Sequence, residues 1–234
     1  MSEPTTLTTR GGDLFARLSR IIAERGEDTT PGAVADGPSP DEPGHPEYHH
    51  RQRVLSALGR FDAACPPRYT GATTDHPGVL AWADQVAASP TTAPSLLLWG
   101  NTGTGKTHAA YAAIRRIALS GPHRFGFIGS TFPDLFAALR PGAGDGLERE
   151  RRMRRIMTIP LLLLDDLGTA SDSVWTEEIT YRIVNHRDTH MLPTVFTSNI
   201  PPGGLAQVCD DRIASRLLGM TVRYHFDGPD RRTT

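Results

Sequence analysis

Residues 96–110 read LLLWGNTGTGKTHAA, and of the 25 basic residues in the chain only Lys106, inside this stretch, is a lysine. Gly100, Gly105, Lys106 and Thr107 complete the pattern Gly-x4-Gly-Lys-Thr. The pattern lies between an apolar run of strand character and a segment that continues with helical periodicity, the setting in which such a loop cradles phosphate. Gly100, Gly103 and Gly105 permit the tight turn that points backbone N–H groups inward, and the following helix adds the positive end of its dipole. Lysine is a compact ammonium on a slim stem that reaches into this nest, where a planar guanidinium fits poorly; the single departure from arginine is thereby explained. The predicted nucleotide contacts are Gly100, Asn101, Thr102, Gly103, Thr104, Gly105, Lys106, Thr107 and His108, with the Thr107 hydroxyl as a Mg²⁺ ligand.

Outward from the loop, strands and helices alternate. The short apolar runs at 95–99, 124–130, 161–166 and 194–199 have the character of parallel strands buried on both faces. TVRYHF at 221–226 adds a fifth strand, alternating Val222, Tyr224 and Phe226 with Arg223 and His225. Helical patterns run from Lys106 to Leu119, and from Val174 to Thr189 behind the N-cap candidates Asp172 and Ser173. A further helix starts near Asp210. This alternation predicts a three-layer α/β domain.

LLLLDDLG delivers Asp165 and Asp166 to the carboxyl end of a strand, where α/β sheets bind ligands. Asp165 suits the role of holding Mg²⁺ through water, and Asp166 that of polarising the attacking water. Asn199, at the tip of TVFTSN, is placed beside the terminal phosphate. No Asn-Lys-x-Asp guanine motif occurs, since NHRD at 185–188 lacks the lysine, and no LSGGQ signature is present. In DDRIASRLLGM, Arg212 and Arg216 share one helical stripe beside Ile213 and Leu217. An arginine presented from a domain edge can complete a neighbouring subunit's active site. Between the second strand and Asp165, Arg149, Arg151, Arg152, Arg154 and Arg155 follow a glycine-rich loop, countered by Glu148 and Glu150. They admit two readings: a contact for single-stranded DNA beside aromatic platforms such as Phe132 and Phe136, or a solvated helix face with Phe136 in the core.

A formal net charge of −1 removes any global polyanion signature, so a nucleic-acid contact must come from a local patch. Cys65 and Cys209 are far apart and in no CxxC pair, against a disulfide framework or a cysteine-rich zinc site. His45, His49, His50 and Cys65 have no recognised ligand spacing. No leader pattern or membrane-length apolar run is present, and a reducing cytoplasm is the expected compartment. Residues 1–26 carry Leu14, Phe15, Leu18, Ile21 and Ile22 on one helical stripe, an amphipathic helix that buries its face on its own domain or on a partner. Residues 27–47 read as a flexible linker, 48–70 as a helix and connecting segment with Val54, Leu55, Leu58 and Phe61 at helical spacing, and 71–234 as the catalytic domain.

GNTGTGKTH, LLLLDDLG, LPTVFTSN and DDRIASRL, in this order, resemble the AAA+ ATPases of the DnaC/DnaI helicase-loader and IstB group over about residues 60–232. The resemblance implies a five-stranded parallel sheet in the order 5-1-4-3-2 with the C-terminal helical lid absent or minimal, and ATP with Mg²⁺ as ligands. It implies Arg216 as a finger acting on a neighbouring subunit, and Arg232, with Arg231 as the adjacent candidate, as the sensor 2 arginine. The implied role is loading a replicative hexameric helicase onto single-stranded DNA in a bacterial or phage setting. An IstB-type transposition helper and a nucleotide-gated adaptor with little hydrolysis are the alternatives. Asp166 stands where many AAA+ enzymes have Glu, which implies slow turnover.

Overall fold

The computed structural model describes residues 17–18, 20–26, 37–142, 145–168 and 173–231. Leu14, Phe15, Asp172 and Arg232 lie outside them. The chain divides into two compact units, residues 1–48 and 49–234. In the first, residues 20–24 are helical, with Ile21 and Ile22 exposed.

The second unit is built on a parallel sheet of β1 (Ser95–Gly100), β2 (Phe127–Thr131), β3 (Leu161–Leu167), β4 (Thr194–Ser198) and β5 (Thr221–Phe226). The strands lie in the order β2-β3-β4-β1-β5, which read from the other edge is 5-1-4-3-2. Because successive side chains on a strand point to opposite faces, the apolar runs divide between two cores. Leu96, Leu98, Leu161, Leu163 and Val195 face α1 (Pro46–Ala64), α2 (Pro77–Ala88) and α3 (Lys106–Leu119). Leu97, Leu162, Leu164 and Phe196 face α4 (Phe132–Leu139), α5 (Gly146–Thr158), α6 (Val174–Thr189) and α7 (Asp211–Met220). Central strands covered on both faces have no polar alternation to display, hence the unbroken leucines.

Helix boundaries follow local chemistry. Ser173 caps α6 through a reciprocal pair of bonds with Thr176, and Asp210 caps α7. Four expectations change. The strand expected at 124–130 begins only at Phe127; just before it the Gly126 carbonyl accepts the Leu161 N–H at 3.0 Å, while the Phe125 carbonyl accepts from the Arg60 guanidinium at 2.7 Å. α2 was not anticipated, although Val79, Trp82, Ala83 and Val86 recur at helical spacing and are all buried. Leu55, expected on the apolar face of α1, is 58% exposed, and the buried positions there are Ala57 and Phe61. Phe132 and Phe136 are core residues at 2% and 6% exposure, so neither is a stacking platform for bases.

One charged side chain sits at the centre of the second core. Arg187 is fully buried. Its Nε donates to Thr194 Oγ1 at 2.6 Å, its Nη1 to the carbonyls of Ile156, Met157 and Ile159, and its Nη2 to that of Pro193 at 2.9 Å. The cation thus lies at the C-terminal end of α5, where the helix dipole favours positive charge, and ties that end to the start of β4. Burial pulls its pKa down to about 9, which leaves it charged at neutral pH. The Arg187→Ala variant deprives the four carbonyls of this donor, and each such buried loss costs about 1–3 kcal/mol. A fall of about 3 kcal/mol or more in urea-denaturation stability is expected. Arg187→Lys should recover less than half of it, because an ammonium lacks the planar fork that spans these acceptors.

Candidate nucleotide site

Parallel strands place the loop after β1 and the tips of β3 and β4 at one edge of the sheet. At Gly100 (φ 143°) a Cβ would collide with the Phe226 carbonyl, so glycine is required where the loop leaves β1 beside β5. Gly105 adopts the left-handed conformation (φ 98°) and no side chain caps α3, leaving its first N–H groups directed into the loop, the arrangement of an anion nest. Lys106 is 5% exposed. Its Nζ donates to the Gly100 carbonyl (2.9 Å), the Asn101 carbonyl (2.7 Å) and Asn199 Oδ1 (2.9 Å). The ammonium therefore spans the phosphate loop and the tip of β4.

The carboxylates are organised by a residue that sequence reasoning missed. Thr197 on β4 donates its hydroxyl hydrogen to Asp165 Oδ1, and Thr197 Oγ1 accepts the Asp166 N–H at 3.0 Å. Between Leu164 and Leu167 the β3–β4 register shifts, and within that irregularity Asp166 takes φ 61°. For a non-glycine residue this conformation costs on the order of 1 kcal/mol, offset locally by the Thr197 bond. Thr107 Oγ1 donates to Asp165 at 3.0 and 3.2 Å. Burial raises the Asp165 pKa, and the adjacent Asp166 charge adds to the rise. The bonds from Thr197 and Thr107 and the charge of Lys106 oppose it without cancelling it. Hydroxyl and carboxylate oxygens form the donor set of a hard cation. Among the described residues no cluster of three or more His, Cys, Asp or Glu side chains is arranged to hold a metal alone. The Thr107 hydroxyl and the Asp165 carboxylate fit Mg²⁺, which takes one or two protein oxygens and completes its shell with phosphate and water.

A cleft of about 380 Å³ opens over these groups, lined among others by Thr102, Gly103, Lys106, Thr107, Asp166 and Asn199. Two walls close it. On one side stand Arg68 and Tyr69, not singled out from the sequence beyond their place in the connecting segment. Tyr69 stacks on Tyr111 with centroids 4.6 Å apart, and His108 accepts the Thr73 N–H at 3.3 Å, which pins this segment to α3. On the other side the chain after β5 turns back across the loop, with the Arg231 N–H donating to the Gly103 carbonyl at 3.0 Å. Arg231 lines the cleft; the sensor 2 candidate Arg232 lies outside the described residues.

The remaining predicted residues are outside the cleft. Arg216 forms an ion pair with Asp188 at 3.0 Å and, like Arg212, lies over the Tyr181 ring. Arg151, Arg152, Arg154 and Arg155 are exposed along α5 and Arg149 is partly so; Arg152 pairs with Glu148, and Glu150 with Arg182, each at 3.7 Å. Cys65 and Cys209 are not joined in a disulfide. Among the described residues no helix is long and apolar enough to cross a membrane.

A phosphate loop feeding a helix, a strand-end Asp pair beside it and a polar residue at the tip of the adjacent strand, on a 5-1-4-3-2 sheet, define a P-loop ATPase fold of AAA+ type. Residues 87–224 match the family of IstB-like ATP-binding proteins, and the chain belongs to that family. It is 27% identical over 150 residues to the replicative helicase loader DnaI of Bacillus subtilis, covering 58% of this chain and 47% of that protein. It is also 27% identical over 180 residues to a protein of Mycobacterium tuberculosis described as ATP-binding in an insertion sequence, covering 74% and 66%. A crystal structure of DnaI superposes with a TM-score of 0.56 at 25% identity, covering 78% of this chain and 93% of that one. This chain thus spans about half the length of the helicase-loader relative and two thirds of the insertion-sequence one.

Two substitutions probe the site. Thr197→Val keeps the shape but removes both bonds; we expect a stability loss of about 1–3 kcal/mol and a weaker Mg²⁺ dependence of ATP binding, read by calorimetric titration. Asp165 behaves oppositely in stability. A raised carboxyl pKa means that the folded state resists ionisation, so the Asp165 contribution is fully present below its unfolded value and declines as pH rises through the folded one. Asp165→Asn should therefore melt no lower than wild type at neutral pH without ligands, while losing the Mg²⁺ enhancement of ATP binding. A lower melting temperature would contradict this reading of Asp165.

Proposed function

We propose that the chain is a slow ATPase of the bacterial cytoplasm, bacterial or phage-encoded, that loads a replicative hexameric helicase onto single-stranded DNA. The observation that carries the reading is the Lys106–Asn199 contact beside the Asp165–Thr197–Asp166 cluster, within a domain similar to a helicase loader. Bound ATP with Mg²⁺ supplies a transferable phosphoryl group. Lys106 exchanges its loop carbonyl partners for phosphate oxygens, Thr107 and Asp165 hold the metal and Asn199 senses the terminal phosphate. Asp166 orients water, and its side chain, shorter than Glu, keeps turnover low. Arg232, or the adjacent Arg231 that lines the cleft from the segment after β5, serves as the sensor 2 arginine. Arg216, once released from Asp188, reaches a neighbouring subunit, and the arginines of α5 meet the DNA strand. The helical stripe of Leu18, Ile21 and Ile22 grips the helicase.

A second reading, a transposition helper, is supported by the longer span shared with the insertion-sequence protein. The short Asp166 side chain supports a third, a nucleotide-gated adaptor with little hydrolysis.

Steady-state ATP hydrolysis by wild type, Lys106→Ala and Arg216→Ala, each with and without single-stranded DNA, tests the reading. Low activity that rises with DNA and disappears in Lys106→Ala is expected. Arg216→Ala should lose a factor on the order of 10³ where the finger operates between subunits. ATP binding without hydrolysis under every condition would favour the adaptor and withdraw the finger role of Arg216. Capture of the replicative helicase by full-length chain but not by a chain lacking residues 1–26 separates the loader from the transposition helper.

A further inference from the structure

Helix α1 carries a polar periodicity beside its apolar one. His49, Gln52, Arg53, Ser56 and Arg60 recur at intervals of three and four and so share one helical face. With Pro122, His123 and Phe125 across from them, they line a second cleft of about 380 Å³ in which no carboxylate takes part. The two arginines are held in place without being neutralised. Arg53 Nε donates to the Gly121 carbonyl at 2.9 Å, and Arg60 Nη1 to the Phe125 carbonyl at 2.7 Å. Neither forms an ion pair among the described residues. A guanidinium has five N–H donors, so both retain donors for an anion, and the carbonyl contacts reduce the freedom that would be lost on binding.

The position of the cleft separates it from ATP. Segment 120–126 enters β2 at its amino end, whereas the phosphate loop leaves β1 at its carboxyl end, and all strands are parallel. The second cleft therefore lies toward the opposite edge of the sheet. From residue 49 to residue 60 the stripe extends about 16 Å at the helical rise, over which one strand of a duplex presents about five phosphates. A run of donors on this scale fits a polymer of phosphates better than a single ion.

We propose that this cleft binds the sugar-phosphate backbone of nucleic acid through Arg53 and Arg60, at a site distinct from both the nucleotide cleft and α5. The contact is made to phosphate and positions the strand without reading its sequence. It holds under either DNA-handling function above and does not depend on ATP hydrolysis.

The test uses the full chain and a fluorescent oligonucleotide, single-stranded or duplex, titrated across a salt series, with inorganic phosphate as a separate competitor. Arg53→Gln combined with Arg60→Gln removes both charges while keeping amide donors for the Gly121 and Phe125 carbonyls. Ser56→Glu, at an exposed position, places a carboxylate in the cleft without touching those bonds and covers the case in which the double variant folds poorly. Each variant should bind oligonucleotide about tenfold or more weaker at low salt. The double variant should show a salt slope shallower by about 1.4 on a single strand, two contacts at roughly 0.7 each. ATP binding should be unchanged. Oligonucleotide affinity and slope equal to wild type in folded variants would overturn the proposal. So would binding of inorganic phosphate that the variants abolish while oligonucleotide binding stays as in wild type, which would make the cleft a site for free phosphate.

Discussion

Everything in the second unit depends on burying β1, β3 and β4 on both faces. Parallel strands sandwiched between two apolar cores can carry no chemistry along their length, because each inward and outward position is spent on packing. Only their ends are available. Parallel order brings the ends of β1, β3 and β4 to one edge, so that Lys106, Asp165 and Asn199, separated by long stretches of sequence, become neighbours. The 2.9 Å contact between Lys106 Nζ and Asn199 Oδ1 joins them directly.

Around that junction, polar groups are arranged so that each has an internal partner that a ligand can replace or reinforce. Lys106 rests on loop carbonyls and Asn199; Asp165 receives hydrogen bonds from Thr107 and Thr197 and still resists ionisation. A buried cation satisfied by neutral acceptors and a carboxylate with a raised pKa together form a site that gains from binding phosphate and metal. Arg187 shows the contrasting use of charge. Its carbonyl partners have no route to exchange, and it acts as a fastener between α5 and β4.

How much of this was legible in the sequence follows from how local each signal is. The bounds of α3 and α6 and the span of β5 were readable because a Gly-Lys turn, a serine cap and a strict alternation each act within a few residues. The leucine runs revealed strands and, with the resemblance, their order. Thr197 was not legible, since its role exists only where the β3–β4 register shifts and brings one hydroxyl between two carboxylate residues. The sequence left the aromatics open because an aromatic next to an arginine-rich helix has the same composition whether it faces bases or core; Phe132 and Phe136 face the core. The start of β2 was misplaced because the apolar run extends upstream of the ladder: the Gly126 carbonyl accepts the Leu161 N–H, while the Phe125 carbonyl is held by Arg60, 65 residues earlier in the sequence.

The central claim is that the junction at the strand ends is a metal-assisted nucleotide site. Titration of ATP into the wild-type chain with and without Mg²⁺, followed by calorimetry, tests it most directly. The account predicts saturable binding at one site per chain that tightens when Mg²⁺ is present. Absence of binding, or binding indifferent to the metal, would contradict it.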